Sequence, residues 1–184
     1  MNMIIAVTFV GILTVLRVQG TAPKGCQEVT EKTGLVKDKF FTGLWYVTHS
    51  RKGFIASVCD QYKMTSKSDG TIDIDFGYQN KGSTYKIKCQ RKKDSASQPF
   101  PYDCQSEKTF KALIKVVDTD YSNYAVIYKC SNLQPTPIDD VLIFNRHNEK
   151  ADIPEAAKPA ISALGTNTNI LTARKSTDCT ITTK

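Results

Sequence analysis

Histidine is scarce in this chain of 184 residues. There are two, His49 and His147, which excludes a three-histidine metal centre and makes most imidazole-driven hydrolysis unlikely. No two of its cysteines lie closer than fifteen positions apart, so the C-x-x-C spacing of zinc and redox sites is missing. No Asn-x-Ser/Thr acceptor occurs: Asn167-Thr168-Asn169 fails at its third residue, and Asn123 is followed by Tyr124 and Ala125. Neither sign of charge dominates locally. The 25 basic residues are interleaved with 18 acidic ones, for a net charge of +7. The one basic cluster, Lys86, Lys88, Arg91, Lys92 and Lys93, has no interleaved aromatic platform, which argues against nucleic acid and for a solvated hairpin. No nucleophile motif is present, so an enzyme is not expected.

Apolar runs are missing too, except at the start. Ile4 to Leu16 is apolar, too short to span a bilayer, and followed by small residues around Gly20 and Ala22. Residues 1–20 are therefore expected to be a signal peptide and residues 21–184 one secreted domain with no membrane span. Cleavage after Gly20 removes Arg17 and no acid, leaving +6.

From Leu44 to Arg146 short β-rich runs alternate with turn signals such as Ser68-Asp69-Gly70 and Asn80-Lys81-Gly82. In Thr71 to Gln79 the apolar Ile72, Ile74, Phe76 and Tyr78 alternate with Thr71, Asp73, Asp75 and Gly77, a strand with one wet face. Tyr85, Ile87 and Cys89 alternate likewise, and Phe110–Val117, Tyr124–Cys130 and Asp140–Arg146 supply further strands, about eight in all. One helix follows: Asp152 can cap, Pro154 suits the first turn, Pro159 weakens it, and Ala157, Ala160, Ile161 and Leu164 form an apolar stripe. The pattern predicts an all-β, antiparallel up-and-down barrel with one C-terminal α-helix, which leaves no open edge; a sandwich fits the alternation as well.

All six cysteines, Cys26, Cys59, Cys89, Cys104, Cys130 and Cys179, lie beyond the cleavage point, and in an oxidising compartment they predict three disulfides. Fifteen pairings are possible. Cys89 and Cys104 flank a stretch between two strands, so a bridge across that hairpin is the natural local choice, contributing about 3 kcal/mol.

Gly43-Leu44-Trp45, Thr119-Asp120-Tyr121 with Tyr124, and Arg146 at the end of the last strand together resemble the three conserved regions of lipocalins. In physical terms, a Trp closing the barrel floor wants a partner, and an Arg from the last strand can stack on its face. Lys39 to His49, Asp118 to Ala125 and the position of Cys59 are similar to the salivary lipocalins of blood-feeding triatomine bugs, the triabin, pallidipin, procalin and nitrophorin group. The Asp118–Ala125 stretch and Asp152 to Ala156 are similar to procalin, a salivary allergen, in particular. The resemblance implies pairing of Cys26 with Cys130 and of Cys59 with Cys179, which leaves Cys89 with Cys104.

It also implies an eight-stranded barrel acting without turnover, as a monomer, by sequestering a small host mediator and so inhibiting platelet aggregation. The mediator would be an eicosanoid such as thromboxane, a nucleotide or a biogenic amine. The alternative is a surface inhibitor of a coagulation or contact-phase protein. No cofactor is expected: where nitrophorins carry the haem-binding histidine, this sequence has Tyr78. Phe76, Tyr78, Tyr85, Phe110, Tyr124 and Tyr128 are the candidate lining of the interior. For an amine, Asp118, Asp120, Asp139 and Asp140 are the available acids, although Asp120 belongs to the motif and the others suit turns. The basic charge disfavours thrombin's basic exosite, and together with the cluster Lys86, Lys88, Arg91, Lys92 and Lys93 it suits a nucleotide or fatty-acid anion.

Overall fold

A computed structural model describes residues 22–80, 83–133 and 135–179; the proposed signal peptide, residues 1–20, lies outside them. Eight antiparallel strands form a closed ring: β1 (Thr42–Ser50), β2 (Gln61–Ser66), β3 (Ile72–Asn80), β4 (Ser83–Arg91), β5 (Tyr102–Gln105), β6 (Thr109–Thr119), β7 (Tyr124–Ser131) and β8 (Ile138–Asn145). Consecutive strands pair, and β1 closes the circle by pairing with both β8 and β2. The sandwich that the alternation also allowed is therefore excluded. A short ninth strand, β9 (Thr172–Ala173), adds to β1 at His49 and Ser50.

Among the described residues three short α-helices accompany the strands. The helix α1 (Lys37–Phe40) lies below the start of β1, and α2 (Ile55–Val58) lies in the β1–β2 connection. The predicted C-terminal helix is α3 (Lys158–Ala163), entered through one tighter turn at Glu155–Ala157. Pro159 sits in its first turn, where the missing N–H had no helical acceptor. Asp152 does not cap it and pairs with Lys175 instead. Among the described residues no helix is long and apolar enough to cross a membrane.

The chain buries two apolar layers. The inner one fills the barrel with Trp45, Val47, Tyr62, Met64, Ile72, Ile74, Phe76, Tyr102, Leu142 and Phe144 among others. The outer one lies between α3 and the back of β6–β8, where Ala157, Ile161 and Leu164 cover Val126, Tyr128, Val141 and Ile143. Consecutive residues of β7 and β8 alternate between these layers, so both faces of these strands are buried. Disulfides join Cys26 to Cys130, Cys59 to Cys179 and Cys89 to Cys104. In β3, Gly77 is required by its neighbour: a Cβ there would fall 1.9 Å from the Tyr85 carbonyl oxygen.

Candidate functional site

The strand directions give the barrel two unlike ends. At the closed end β1 begins, and Gly43 takes a left-handed φ of 70° that leaves room beside Arg146. Arg146 stacks on Trp45 and donates to the carbonyls of Tyr121 (2.7 Å), Thr42 (2.6 Å), Leu44 (3.4 Å), Lys39 (3.0 Å) and Phe40 (3.1 Å). The Trp45 indole N–H also donates to Phe40 O, at 3.1 Å. Asp120 organises the adjoining turn by accepting from the backbone N–H groups of Ser122, Asn123 and Tyr124. These contacts hold its carboxyl below the usual range against the opposing effect of burial. Thr119 supports the same turn through Tyr121 N and Tyr124 O, so Thr119, Asp120 and Tyr121 are structural.

An aromatic column climbs from this floor. Phe40 lies 5.2 Å from Trp45, Trp45 6.2 Å from Phe144, Phe144 4.8 Å from Tyr62, and Tyr62 stacks on Phe76 at 4.5 Å with 4° between planes. On top, the Lys129 ammonium stands 4.1 Å from the Phe76 centroid and donates to the Tyr62 hydroxyl at 3.1 Å.

Lys129 belongs to a polar cluster at the open end. Asp60, 4% exposed, hydrogen-bonds the Tyr62 hydroxyl, and burial pushes its carboxyl up to about 7 against the pull of Lys129 and Arg174. Burial drives the Lys129 ammonium below its ordinary range, while Asp60 and Asp140 pull it back. Asp140 faces Lys129 across the β7–β8 ladder, but its oxygens accept from Ser50 Oγ at 2.8 Å and Lys52 N at 3.0 Å. Arg174, 2% exposed, closes the cluster from outside through the carbonyls of Asp60 and Val47 and an ion pair to Glu149. Desolvating charges in this way is expensive unless they are matched, so a cluster of this kind marks a site better than apolar lining does.

A family model described as triabin matches residues 19–159. The chain belongs to the triabin family. Over 142 residues it is 31% identical to triafestin-2 of Triatoma infestans, covering 71% of this chain and 69% of that one. It is 27% identical to procalin of Hospesneotomae protracta over 86% and 93% of the two chains, and 27% identical to the platelet inhibitor triplatin-2 of Triatoma infestans over 73% and 78%. The amine-binding protein of Rhodnius prolixus, solved with tryptamine, shares the fold at TM-score 0.69 and 21% identity over 86% and 91% of the chains. A variant of LTBP1 solved with leukotriene C4 superposes at TM-score 0.62 with 28% identity over 84% and 97%.

Within this triabin-family barrel the candidate residues separate. Phe76 and Phe110 face the interior. Tyr85 shares the inward face of β4 with Ile87 and Cys89 but lies at the rim, 44% exposed, and Tyr78 pairs with it across the β3–β4 ladder. Tyr124 and Tyr128 do not line the interior. Both belong to the outer layer, where Tyr124 donates to Asp118 and Tyr128 donates to Asp139 and accepts from Gln27 N. Of the four candidate acids only Asp140 reaches the mouth; Asp118 pairs with Lys32 and Asp139 with Arg51, outside the barrel. His49, on β1, pairs with Ala173 of the C-terminal segment, and burial, with Lys175 second, lowers its pKa; His147 is exposed. The basic cluster divides as well: Lys86 and Lys88 are exposed, whereas Arg91 turns inward.

One concavity of about 840 Å³ lies away from the mouth. It crosses the outer wall over β3–β6, where Asp73 and Asp103 are matched by Lys67 and Lys111. Sequence reasoning missed Asp60 and Lys129, and offered Arg91 only as one of a basic cluster suited to an anion. Cys130 was a signal for one of them: tied to the N-terminal segment outside the barrel, it leaves its neighbour Lys129 facing in.

Proposed function

We propose that this chain is a secreted salivary carrier that sequesters a small host mediator in its barrel and thereby opposes haemostasis, with amphiphilic acids of the eicosanoid class as ligands. Lys129 carries this reading. Its ammonium has three donors and spends one on Tyr62, on a bed of aromatic rings at the open end. A carboxylate placed there gains a charge-assisted hydrogen bond while its hydrocarbon covers Phe76 and Phe110. A biogenic amine would bring like charge to Lys129, and the Asp140 oxygens it would seek are already engaged. The likeness to LTBP1, solved with leukotriene C4, supports a lipid acid, and the relative named as a platelet inhibitor supports the physiological role. The three disulfides suit an oxidising, extracellular setting. The proposed mode of action needs neither haem nor catalysis.

Calorimetric titration of the mature protein with a thromboxane analogue, leukotriene C4, serotonin, ADP and haemin tests the proposal. Stoichiometric binding of an acid, weakened about tenfold or more in Lys129→Met, is the expected result. Silence toward both lipids from a folded protein, or preference for serotonin, would overturn it. Silence across the whole panel would direct attention to coagulation and contact-phase proteins.

A further inference from the structure

In the closed half of the barrel two side-chain donors find no acceptor among the described residues. Arg91 ends β4 on the inward face, in register with Ile72, its guanidinium 5.7 Å from the Phe41 ring centroid and 5.5 Å from that of Tyr102. It is 7% exposed, and among the described residues its side chain makes neither an ion pair nor a hydrogen bond. The Tyr102 hydroxyl beside it is fully buried and has no partner. Glu31 is near enough to influence Tyr102 but forms no ion pair with Arg91 among the described residues. Stacking on two aromatic faces offsets part of the cost of burying a guanidinium, but its N–H groups, which keep a little solvent contact, meet no acceptor among the described residues, and the solvent-excluded Tyr102 O–H meets none at all. Buried donors in native proteins are nearly always satisfied, so the absent component is an acceptor, and beside a cation it is best an anion.

We propose that Arg91 and Tyr102 form an inner subsite for a carboxylate or similar oxygen acceptor at the far end of an elongated ligand whose other end meets Lys129. This presupposes the carrier role proposed above and narrows the ligand class to lipid acids oxygenated at both ends. The spacing suits such a molecule, which would enter by displacing the inner-layer side chains that fill the barrel between the two points. Phe76 lies beneath Lys129 and Ile72 opposite Arg91, four residues apart on β3, or about 13 Å along the strand. Between them the wall is apolar, formed by Ile74 and the Cys89–Cys104 bridge.

Dodecanoic and dodecanedioic acids, titrated into the mature wild-type protein and into Arg91→Met and Tyr102→Phe, test the subsite. The diacid is expected to bind wild type at least about tenfold more tightly than the monoacid, the worth of one charge-assisted hydrogen bond. Each variant should lower diacid affinity toward that of the monoacid and leave monoacid affinity unchanged. Tyr102→Phe removes only an unpaired hydroxyl, so it should fold even if Arg91→Met does not. Equal affinities in wild type, or a diacid preference that survives in a folded variant, would overturn the subsite while leaving the carrier role intact. Failure of both acids to bind folded wild type would overturn the carrier role and the subsite with it.

Discussion

The Arg146 guanidinium lies 3.8 Å from the Trp45 ring and bonds backbone carbonyls of α1, β1 and the β6–β7 turn. One side chain thus fastens three chain segments at the closed end. Arg146→Ala strips those carbonyls of their donor and is expected to lower unfolding free energy by about 2–3 kcal/mol. Affinity at the distant mouth should change by less than about twofold. An unchanged melt would refute the fastening role.

Gly77→Ala should be among the most damaging single-methyl additions in the chain. The new Cβ meets a backbone oxygen of the paired strand, which cannot move without breaking the β3–β4 ladder. A loss of roughly 2–4 kcal/mol is expected. Denaturant titration measures it; a loss below about 1 kcal/mol would show that the ladder relaxes locally.

Asp60 predicts a pH dependence. An unfolded aspartate titrates near 3.9, whereas burial raises the native carboxyl to about 7. Between those values the native state holds the extra proton, so this residue's contribution is fully present below about pH 4 and lost as pH rises through about 7. Wild type should therefore lose stability between about pH 4 and pH 7 relative to Asp60→Asn, by at most about 4 kcal/mol. Parallel curves for the two proteins would mean that Asp60 is already ionised at low pH.

Tyr128 and Lys129 are neighbours with opposite roles. Tyr128→Phe removes the outer-layer bonds to Gln27 and Asp139 and should cost about 1 kcal/mol of stability without altering ligand affinity. Lys129→Met should weaken acid binding by about tenfold or more, and it should also lower the melt at neutral pH, because Asp60 and Asp140 lose the cation that faces them. A loss of affinity in Tyr128→Phe would place the ligand outside the barrel.

The strands of the barrel were legible because β3 and β4 have one wet face, where alternation is a reliable signal. On β7 that signal fails. Its residues are buried on both sides, by the barrel interior and by α3, so hydrophobicity could not show which of Tyr128 and Lys129 turned in, and the aromatic was the natural choice. Arg91 was lost for a different reason. It stands beside Lys92 and Lys93 and reads as part of a charge cluster, although the alternation of Tyr85, Ile87 and Cys89 already placed it on the apolar face. The floor motif survived translation from sequence because its geometry is carried by a few fixed residue types, whereas the polar cluster at the mouth draws on β2, β7, β8 and the C-terminal segment, which only the closed ring brings together.

Trp45 is the single tryptophan of the chain and stands at the foot of the aromatic column. Its emission is therefore an optical gauge of depth: a guest confined to the rim leaves the indole undisturbed, and one that penetrates past Phe144 shifts or quenches it.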